Sequence, residues 1–106
     1  MKVVEKDAAV HGLLEDELKR CREVLASLKV KLDQYPKGAL NIRRKRYKDK
    51  EYKYYYLVVR KNNQVINRHI PTKEAHELKK RLTERNRIRE EILVYRKRIA
   101  YLDKLI

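Results

Sequence analysis

The chain has 106 residues, 42% of them hydrophobic, which suits a single domain with a thin core. Its 29 Lys and Arg outnumber 15 Asp and Glu, and the formal net charge of +14 favours a polyanionic partner, most commonly nucleic acid. No apolar run approaches the ~20 residues of a membrane span, and no signal-peptide pattern is present, so we expect a cytoplasmic protein without a membrane partner. Two alternative roles for the positive charge are binding to an anionic membrane surface and solubility alone.

Residues suited to catalysis or metal binding are few. Cys21 is the only cysteine, which excludes an intramolecular disulfide and fits a reducing compartment. The histidines His11, His69 and His76 have no metal-ligand spacing with it. There is also no recognisable catalytic pair of acids, glycine-rich phosphate loop or nucleophile elbow. We therefore expect no metal, no cofactor and no enzymatic activity.

The first predicted element is a long helix over residues 7–34, with Asp7 as a candidate N-cap. It should end before Tyr35-Pro36-Lys37-Gly38, because proline cannot continue the helical hydrogen bonds and glycine permits a tight turn. Its apolar residues are spaced alternately by four and three, as in a coiled-coil seam. They are Leu14, Leu18, Cys21, Leu25, Leu28 and Leu32.

Residues 39–70 change to a period of two and predict a three-stranded antiparallel meander. The polar pairs Asp49-Lys50 and Asn62-Asn63 are suited to two-residue hairpin turns. Such turns would pair Lys48 with Glu51 and Lys61 with Gln64, which determines every facing pair. The face toward the helices would then contain Leu40, Ile42, Tyr55, Leu57, Val59, Ile66 and Ile70. Four cations also fall on it, and we expect them at its rim with packed stems: Arg44, Arg46, Lys53 and Arg68.

The opposite face of the sheet, which we call the basic–aromatic face, is the candidate binding site. Its cations would neutralise phosphates or read base edges, and its tyrosines would bond to phosphates or stack on unpaired bases. The alternative is that alternating Tyr and Lys only stabilise the strands. The predicted site residues are Arg43, Lys45, Tyr47, Tyr52, Tyr54, Tyr56, Arg60, Asn67 and His69.

A second long helix is predicted over residues 72–105, with Thr72 as a candidate N-cap. Its cations, including Lys79, Lys80 and Arg81, are interrupted by acids and form either a solvated face or a second contact to a nucleic-acid backbone. The seam repeats the four–three spacing at Ile88, Ile92, Tyr95, Ile99, Leu102 and Ile106.

Together these elements predict an α+β fold in a single domain, residues 1–106. Two long antiparallel helices, a coiled-coil hairpin, flank a three-stranded antiparallel meander in the chain. Further apolar positions such as Leu93, Val94 and Leu105 favour a homodimer that pairs through the helices as a four-helix bundle.

The run YKYYYLVVRKNNQVINRHIPTKEAHELKKRL, Tyr52 to Leu82, resembles the arm-type, AP2-like DNA-binding domain of tyrosine-family phage and transposon integrases. Tyr54-Tyr56 and Val58 match the middle strand, Gln64 to Ile70 the third strand, and Pro71 to Ala75 the start of the following helix. The resemblance implies a sheet that lies in the major groove of DNA. The long first helix has no counterpart in that family.

A wider segment, including Tyr35-Pro36-Lys37-Gly38 and Tyr54-Tyr55-Tyr56-Leu57, is similar to small proteins of Gram-positive bacteria and their mobile elements. This likeness implies a phage or mobile-element accessory role, and no established activity. The functional prediction is a small basic protein that binds nucleic acid, DNA more readily than RNA, through the basic–aromatic face. The alternative is an inhibitor or adaptor that binds a host nucleoprotein complex through its basic surface, for example an anti-CRISPR protein.

Overall fold

A computed structural model describes residues 7–106. The predicted α+β fold is confirmed, with two long helices that contact each other and a three-stranded antiparallel meander in the order β1-β2-β3. No helix within this part of the chain is long and apolar enough to cross a membrane. The elements in chain order are α1 (Ala8–Leu32), β1 (Ala39–Tyr47), β2 (Lys50–Lys61), β3 (Gln64–Ile70) and α2 (Thr72–Leu105).

The chain divides into two compact units, and α2 contributes to both. The helical unit contains residues 7–34 and 87–106 of the part described. The sheet unit is Tyr35–Asn86 and contains all three strands with the first half of α2. Each unit has its own cluster of buried side chains.

Helix α1 begins where the Asp7 side chain caps it. The Asp7 carboxylate accepts hydrogen bonds from the backbone N–H groups of Ala9 and Val10, at 3.0 and 3.2 Å, which confirms the predicted N-cap. The helix ends at Leu32, with Asp33 as its C-cap, two residues before the predicted end. The backbone N–H of Gln34 donates to the Lys31 carbonyl at 3.1 Å, three residues back, so the last turn is tighter than an α-helix and the regular ladder ends before Gln34.

The helical unit is held together by the predicted seams. Leu18 packs with Cys21 and with Leu102 near the end of α2, whereas Leu32 at the end of α1 lines one cavity with Ile92, so the two helices run antiparallel. An ion pair joins the same segments, with Arg22 Nη2 3.2 Å from Asp103 Oδ1. Cys21 is fully buried. Partly buried residues around this cluster are Leu14, Tyr95, Ile99 and Ile106.

Both hairpin turns have two central residues with positive φ, as in type I′ turns. The turn at Asn62-Asn63 and the pairing of Lys61 with Gln64 are confirmed. The predicted first turn is wrong, because the central residues are Lys48-Asp49 and Tyr47 pairs with Lys50. The pairing of Lys48 with Glu51 is therefore absent. The predicted and observed registers of β1 and β2 differ by two residues and put the same residues on each face, so the alternation of apolar residues does not distinguish one register from the other.

The core of the sheet unit lies between one face of the sheet and α2. Leu57 and Ile70 are buried together with Ala75 and Leu82 of the helix. Partly buried residues beside them are Leu40, Tyr55, Val59 and Leu78. Gly38 lies close to β2 with φ of 118°, and a Cβ there would be 2.6 Å from the Val58 carbonyl oxygen. This is the position where the turn before β1 requires glycine.

Two expectations for this apolar face are corrected. Ile42 and Ile66 lie on it, but they are 49% and 47% exposed and do not join the core cluster. The pattern of alternation identifies a face but does not show how much of that face a helix covers. The four cations expected at the rim of this face are exposed: Arg44, Arg46, Lys53 and Arg68.

The start of α2 also differs from the prediction. Thr72 is the first helical residue, and the carbonyl of Pro71 accepts from the backbone N–H groups of Glu74 and Ala75 at 2.9 and 3.1 Å. Pro71 thus occupies the N-cap position, and the prediction of Thr72 as the cap is wrong. The proline carbonyl is available because the ring removes only the backbone donor.

Candidate nucleic-acid interface

The strand register places all nine predicted site residues on one face of the sheet. In β1 and β2, Arg43 pairs with Tyr54 and Lys45 with Tyr52, and side chains two residues apart share a face. In β2 and β3, Tyr56 pairs with His69 on the same face. The other members, which the same alternation places there, are Tyr47, Arg60 and Asn67. The division into two faces is therefore as predicted, although the first turn is shifted.

Cations of β1 stack on tyrosine rings of β2. The guanidinium carbon of Arg43 lies 4.5 Å from the ring centroid of Tyr56, and Lys45 Nζ lies 5.7 Å from that of Tyr54. Both contacts are diagonal, because each cation pairs directly with the tyrosine two residues earlier in β2. The right-handed twist of a two-stranded pair brings such diagonal neighbours together. Each stack contributes about 0.5–1 kcal/mol at an exposed site and restrains the charged head.

His69 extends this stacked cluster into the third strand. Its ring meets Tyr56 edge-on, with centroids 5.5 Å apart and an interplanar angle of 77°. It also lies 6.4 Å from Tyr54 in a tilted arrangement. Arg43, Lys45, Tyr54, Tyr56 and His69 therefore form one continuous group across three strands, which we call the stacked cluster.

The remaining site residues lie on the same face outside the stacked cluster. Tyr47 is at the hairpin end, where Lys48 Nζ is 5.4 Å from its ring centroid. Tyr52 is 43% exposed. Arg60 and Asn67 lie toward the second hairpin turn, opposite Val65 and Val58 in the register. The face is thus most basic at the hairpin end of β1 and β2 and mixed with valines at the other end.

Sequence reasoning missed Lys50 as a member of this face. Lys50 pairs with Tyr47 and so points to the same side as Lys45 and Tyr52. It was missed because the pair Asp49-Lys50 was assigned to the turn. The signal that could have placed it is the adjacent pair Lys48-Asp49, which is equally polar and also contains the aspartate that favours a turn.

The sheet carries far more positive than negative charge. Residues 39–70 contain ten Lys and Arg and only Asp49 and Glu51 as acids. Glu51 lies on the opposite face from the stacked cluster, with its carboxylate 3.7 Å from Arg44 Nε. The basic–aromatic face therefore presents cations and phenol groups without an acid among its predicted members, an arrangement suited to phosphate oxygens.

A second basic surface lies on α2 within the sheet unit. A groove of about 600 Å³ runs beside Tyr35, and the guanidinium carbon of Arg81 is 5.9 Å from the Tyr35 ring centroid. The groove contains an acid, Glu84, so its charge is mixed. Its other lining residues are His76, Lys79, Lys80 and Thr83. They include helix cations for which the sequence allows two roles, a solvated face or a contact to a nucleic-acid backbone.

No group of three or more His, Cys, Asp and Glu side chains within residues 7–106 could hold a metal ion. No family model matches the chain, and neither a curated protein nor a solved structure is significantly similar to it.

Proposed function

We propose that this protein binds nucleic acid, DNA in preference to RNA, through the basic–aromatic face of its sheet. The observation that carries the proposal is the stacked cluster, in which Arg43 and Lys45 lie over the rings of Tyr56 and Tyr54. Cations restrained in this way lose less side-chain entropy when they meet phosphates. The likeness to arm-type integrase domains supports DNA as the preferred partner.

The tyrosines support the cations in two ways. Their rings hold the cationic heads in place, and their hydroxyls are donors for phosphate oxygens. Because the binding energy would come mainly from phosphate contacts, the affinity falls steeply as salt increases. A purely structural role for the alternating Tyr and Lys predicts no dependence of any binding on this face.

The test compares two variants that lose the same charge. R43Q/K45Q/R60Q removes three cations from the basic–aromatic face, and K19Q/K29Q/K31Q removes three exposed cations from α1. Binding to duplex DNA, duplex RNA and single strands is measured by fluorescence anisotropy over a range of salt concentrations. We expect the first variant to bind DNA about tenfold more weakly and to release about three fewer ions on binding, as measured by the salt dependence of the affinity. The second variant should bind like the natural chain.

Equal binding by the two variants would remove the face from the proposal. Weak binding of the natural chain to every nucleic acid, together with capture of a host nucleoprotein after nuclease treatment, would favour the inhibitor or adaptor alternative. Circular dichroism of both variants establishes that the fold is intact, which is expected because the substituted side chains are exposed.

The proposed binding form is a homodimer that pairs through the helices. Several large apolar side chains of the helical unit are exposed, including Leu13 at 69% and Val30 at 64%. Leu93 and Val94 on α2 are also exposed, at 54% and 52%. Burial of this surface in a second copy would complete a thin core. Sedimentation velocity at micromolar concentration tests it, and a monomer mass throughout would exclude the dimer.

A further inference from the structure

The hairpin of β1 and β2 extends beyond the third strand. β3 pairs with β2 only as far as the Tyr55–Ile70 pair, whereas β1 and β2 continue to pair as far as Tyr47 and Lys50. Residues 43–54 therefore form a two-stranded ribbon with its turn at Lys48-Asp49, which we call the β-ribbon. Every residue from 43 to 53 is exposed.

The β-ribbon carries cations on both of its surfaces, because successive strand residues point to opposite sides. Its front surface is continuous with the basic–aromatic face and contains Arg43, Lys45 and Lys50. Its back surface contains Arg44, Arg46 and Lys53. With Lys48 in the turn, residues 43–54 hold seven cations against two acids.

The back surface is not part of the protein core. The core cluster of the sheet unit contains none of the residues from 43 to 54. Arg44 is paired with Glu51, but the side chains are 65% and 52% exposed, so water screens this ion pair. Arg44, Arg46 and Lys53 continue the sheet face that packs on α2, but they are exposed and lie outside its core cluster, so packing of the core does not explain them.

We infer that the β-ribbon enters the major groove of B-form duplex DNA, with its front cations on one phosphate wall and its back cations on the other. The inference rests on the proposed function and specifies how the sheet meets its partner. The groove is about 12 Å wide and 8.5 Å deep, and it admits a two-stranded ribbon. The five residues from Arg43 to Tyr47 extend about 17 Å at ~3.3 Å per residue, enough to reach the groove floor.

Other nucleic acids fit this two-sided arrangement less well. The major groove of A-form RNA is too narrow and deep for side chains to read, and a single strand offers only one backbone. A sheet that lies flat on its partner would use the front cations alone. The back cations would then serve only to keep the exposed edge of β1 from pairing with another chain.

The experiment compares three variants with equal loss of charge. The front variant is R43Q/K45Q/K50Q, the back variant is R44Q/R46Q/K53Q, and the control is K19Q/K29Q/K31Q. Each is titrated against a 20-base-pair DNA duplex, an RNA duplex of the same sequence and the single strands, at several salt concentrations. Thermal unfolding monitored by circular dichroism verifies each fold. The doubles R43Q/K45Q and R46Q/K53Q repeat the comparison with the ion pair of Arg44 intact.

Two-sided insertion predicts that the front and back variants each bind the DNA duplex about tenfold more weakly than the control. The slope of log affinity against log salt concentration should fall by about three ions in each of the two variants. It also predicts that the natural chain binds the DNA duplex at least about tenfold more tightly than the RNA duplex or the single strands.

Loss of binding in the front variant alone would overturn two-sided insertion and leave the proposed function intact. Control-like binding by both variants would overturn both. Loss in the back variant alone would also overturn both, since the basic–aromatic face would then contribute nothing. Equal affinity for DNA and RNA duplexes would overturn the assignment to the major groove of B-form DNA and the proposed preference for DNA, but not the binding of nucleic acid through the basic–aromatic face.

Discussion

The two units of this protein use charged residues in different ways. The sheet unit, Tyr35–Asn86, has 16 Lys and Arg against 5 Asp and Glu, whereas the rest of the chain has 13 against 10. Eleven of the 14 net positive charges therefore belong to the sheet unit. A uniformly basic chain would show the same total charge without this division, so the location of the excess is the more informative property.

The contacts of the charged groups also differ between the two units. In the helical unit, acids lie beside cations, as in the pairs Glu17–Arg20, Arg22–Asp103 and Arg87–Glu91, and Arg98 lies over the Tyr95 ring. In the sheet unit, Arg44 pairs with Glu51, whereas Arg43, Lys45 and Lys48 lie over tyrosine rings. A cation paired with an acid is neutralised, whereas a cation over a ring keeps its full charge for an external anion. The comparison supports the choice of the sheet unit for the proposed contact with a polyanion.

The largest expected change in stability concerns the small core of the sheet unit. Leu57 is 6% exposed and packs in the buried cluster, so Leu57→Ala should cost about 2–5 kcal/mol of unfolding free energy. The control Ile66→Ala lies on the same face of the sheet but is 47% exposed, and it should cost less than about 1.5 kcal/mol. Urea unfolding measures both. Equal costs would show that the covered part of the face extends further than the structure indicates.

The two glycines should respond with opposite signs, one in each unit. Gly38→Ala places a Cβ 2.6 Å from the Val58 carbonyl oxygen at a φ of 118°, and should destabilise the protein by about 1–3 kcal/mol. Gly12→Ala lies within α1 with no atom inside 4 Å of the new Cβ, and should stabilise it by up to about 1 kcal/mol. Thermal unfolding of the two variants tests the difference, and a shared sign would contradict it.

The smallest expected effect is an acid sensitivity of the helical unit. Hydrogen bonds from Arg20 to Glu17, one of them 2.9 Å long, lower the pKa of Glu17 from 4.5 to about 2. The hydrogen bond with Glu17 likewise raises the pKa of Arg20. A depressed carboxyl pKa contributes stability above the unfolded-state value, and that contribution disappears as pH falls from about 4.5 to 2.

Glu17→Gln should therefore be less stable than the natural chain at pH 7, with a difference that closes as pH approaches 2. The effect is small because water screens an exposed pair. Urea midpoints at several pH values measure it, with Glu23→Gln, an exposed residue of the same helix, as the control. A difference that persists at pH 2 would mean that the side chain acts through packing and not through its charge.

Local signals in the sequence predicted most of the fold. The four–three spacing from Leu14 to Leu32, the break at Pro36 and the alternation after Gly38 are all properties of neighbouring residues. The first turn was not predictable in this way, because Lys48-Asp49 and Asp49-Lys50 produce the same two faces. The exposure of Ile42 and the cap at Pro71 depend on where α2 begins and how far it covers the sheet. These are properties of the tertiary structure, which the spacing of apolar residues along the chain does not determine.

The candidate site could be predicted as a face but not as a set of contacts. Alternation placed Arg43 and Tyr56 on one side of the sheet. The stacking of Arg43 on Tyr56, and not on its direct partner Tyr54, depends on strand twist. The two-stranded ribbon was likewise not visible in the sequence, because it depends on β3 ending its pairing at Tyr55.

The single thiol of the chain offers a reporter that needs no engineering. Cys21 has no exposed surface and lies in the helical cluster with Leu18 and Leu102. An alkylating reagent can reach its sulfur only when the helices separate, so the rate of modification measures how often that opening occurs. With a nucleic acid added, the same rate would show whether binding to the sheet unit changes how often the helical unit opens.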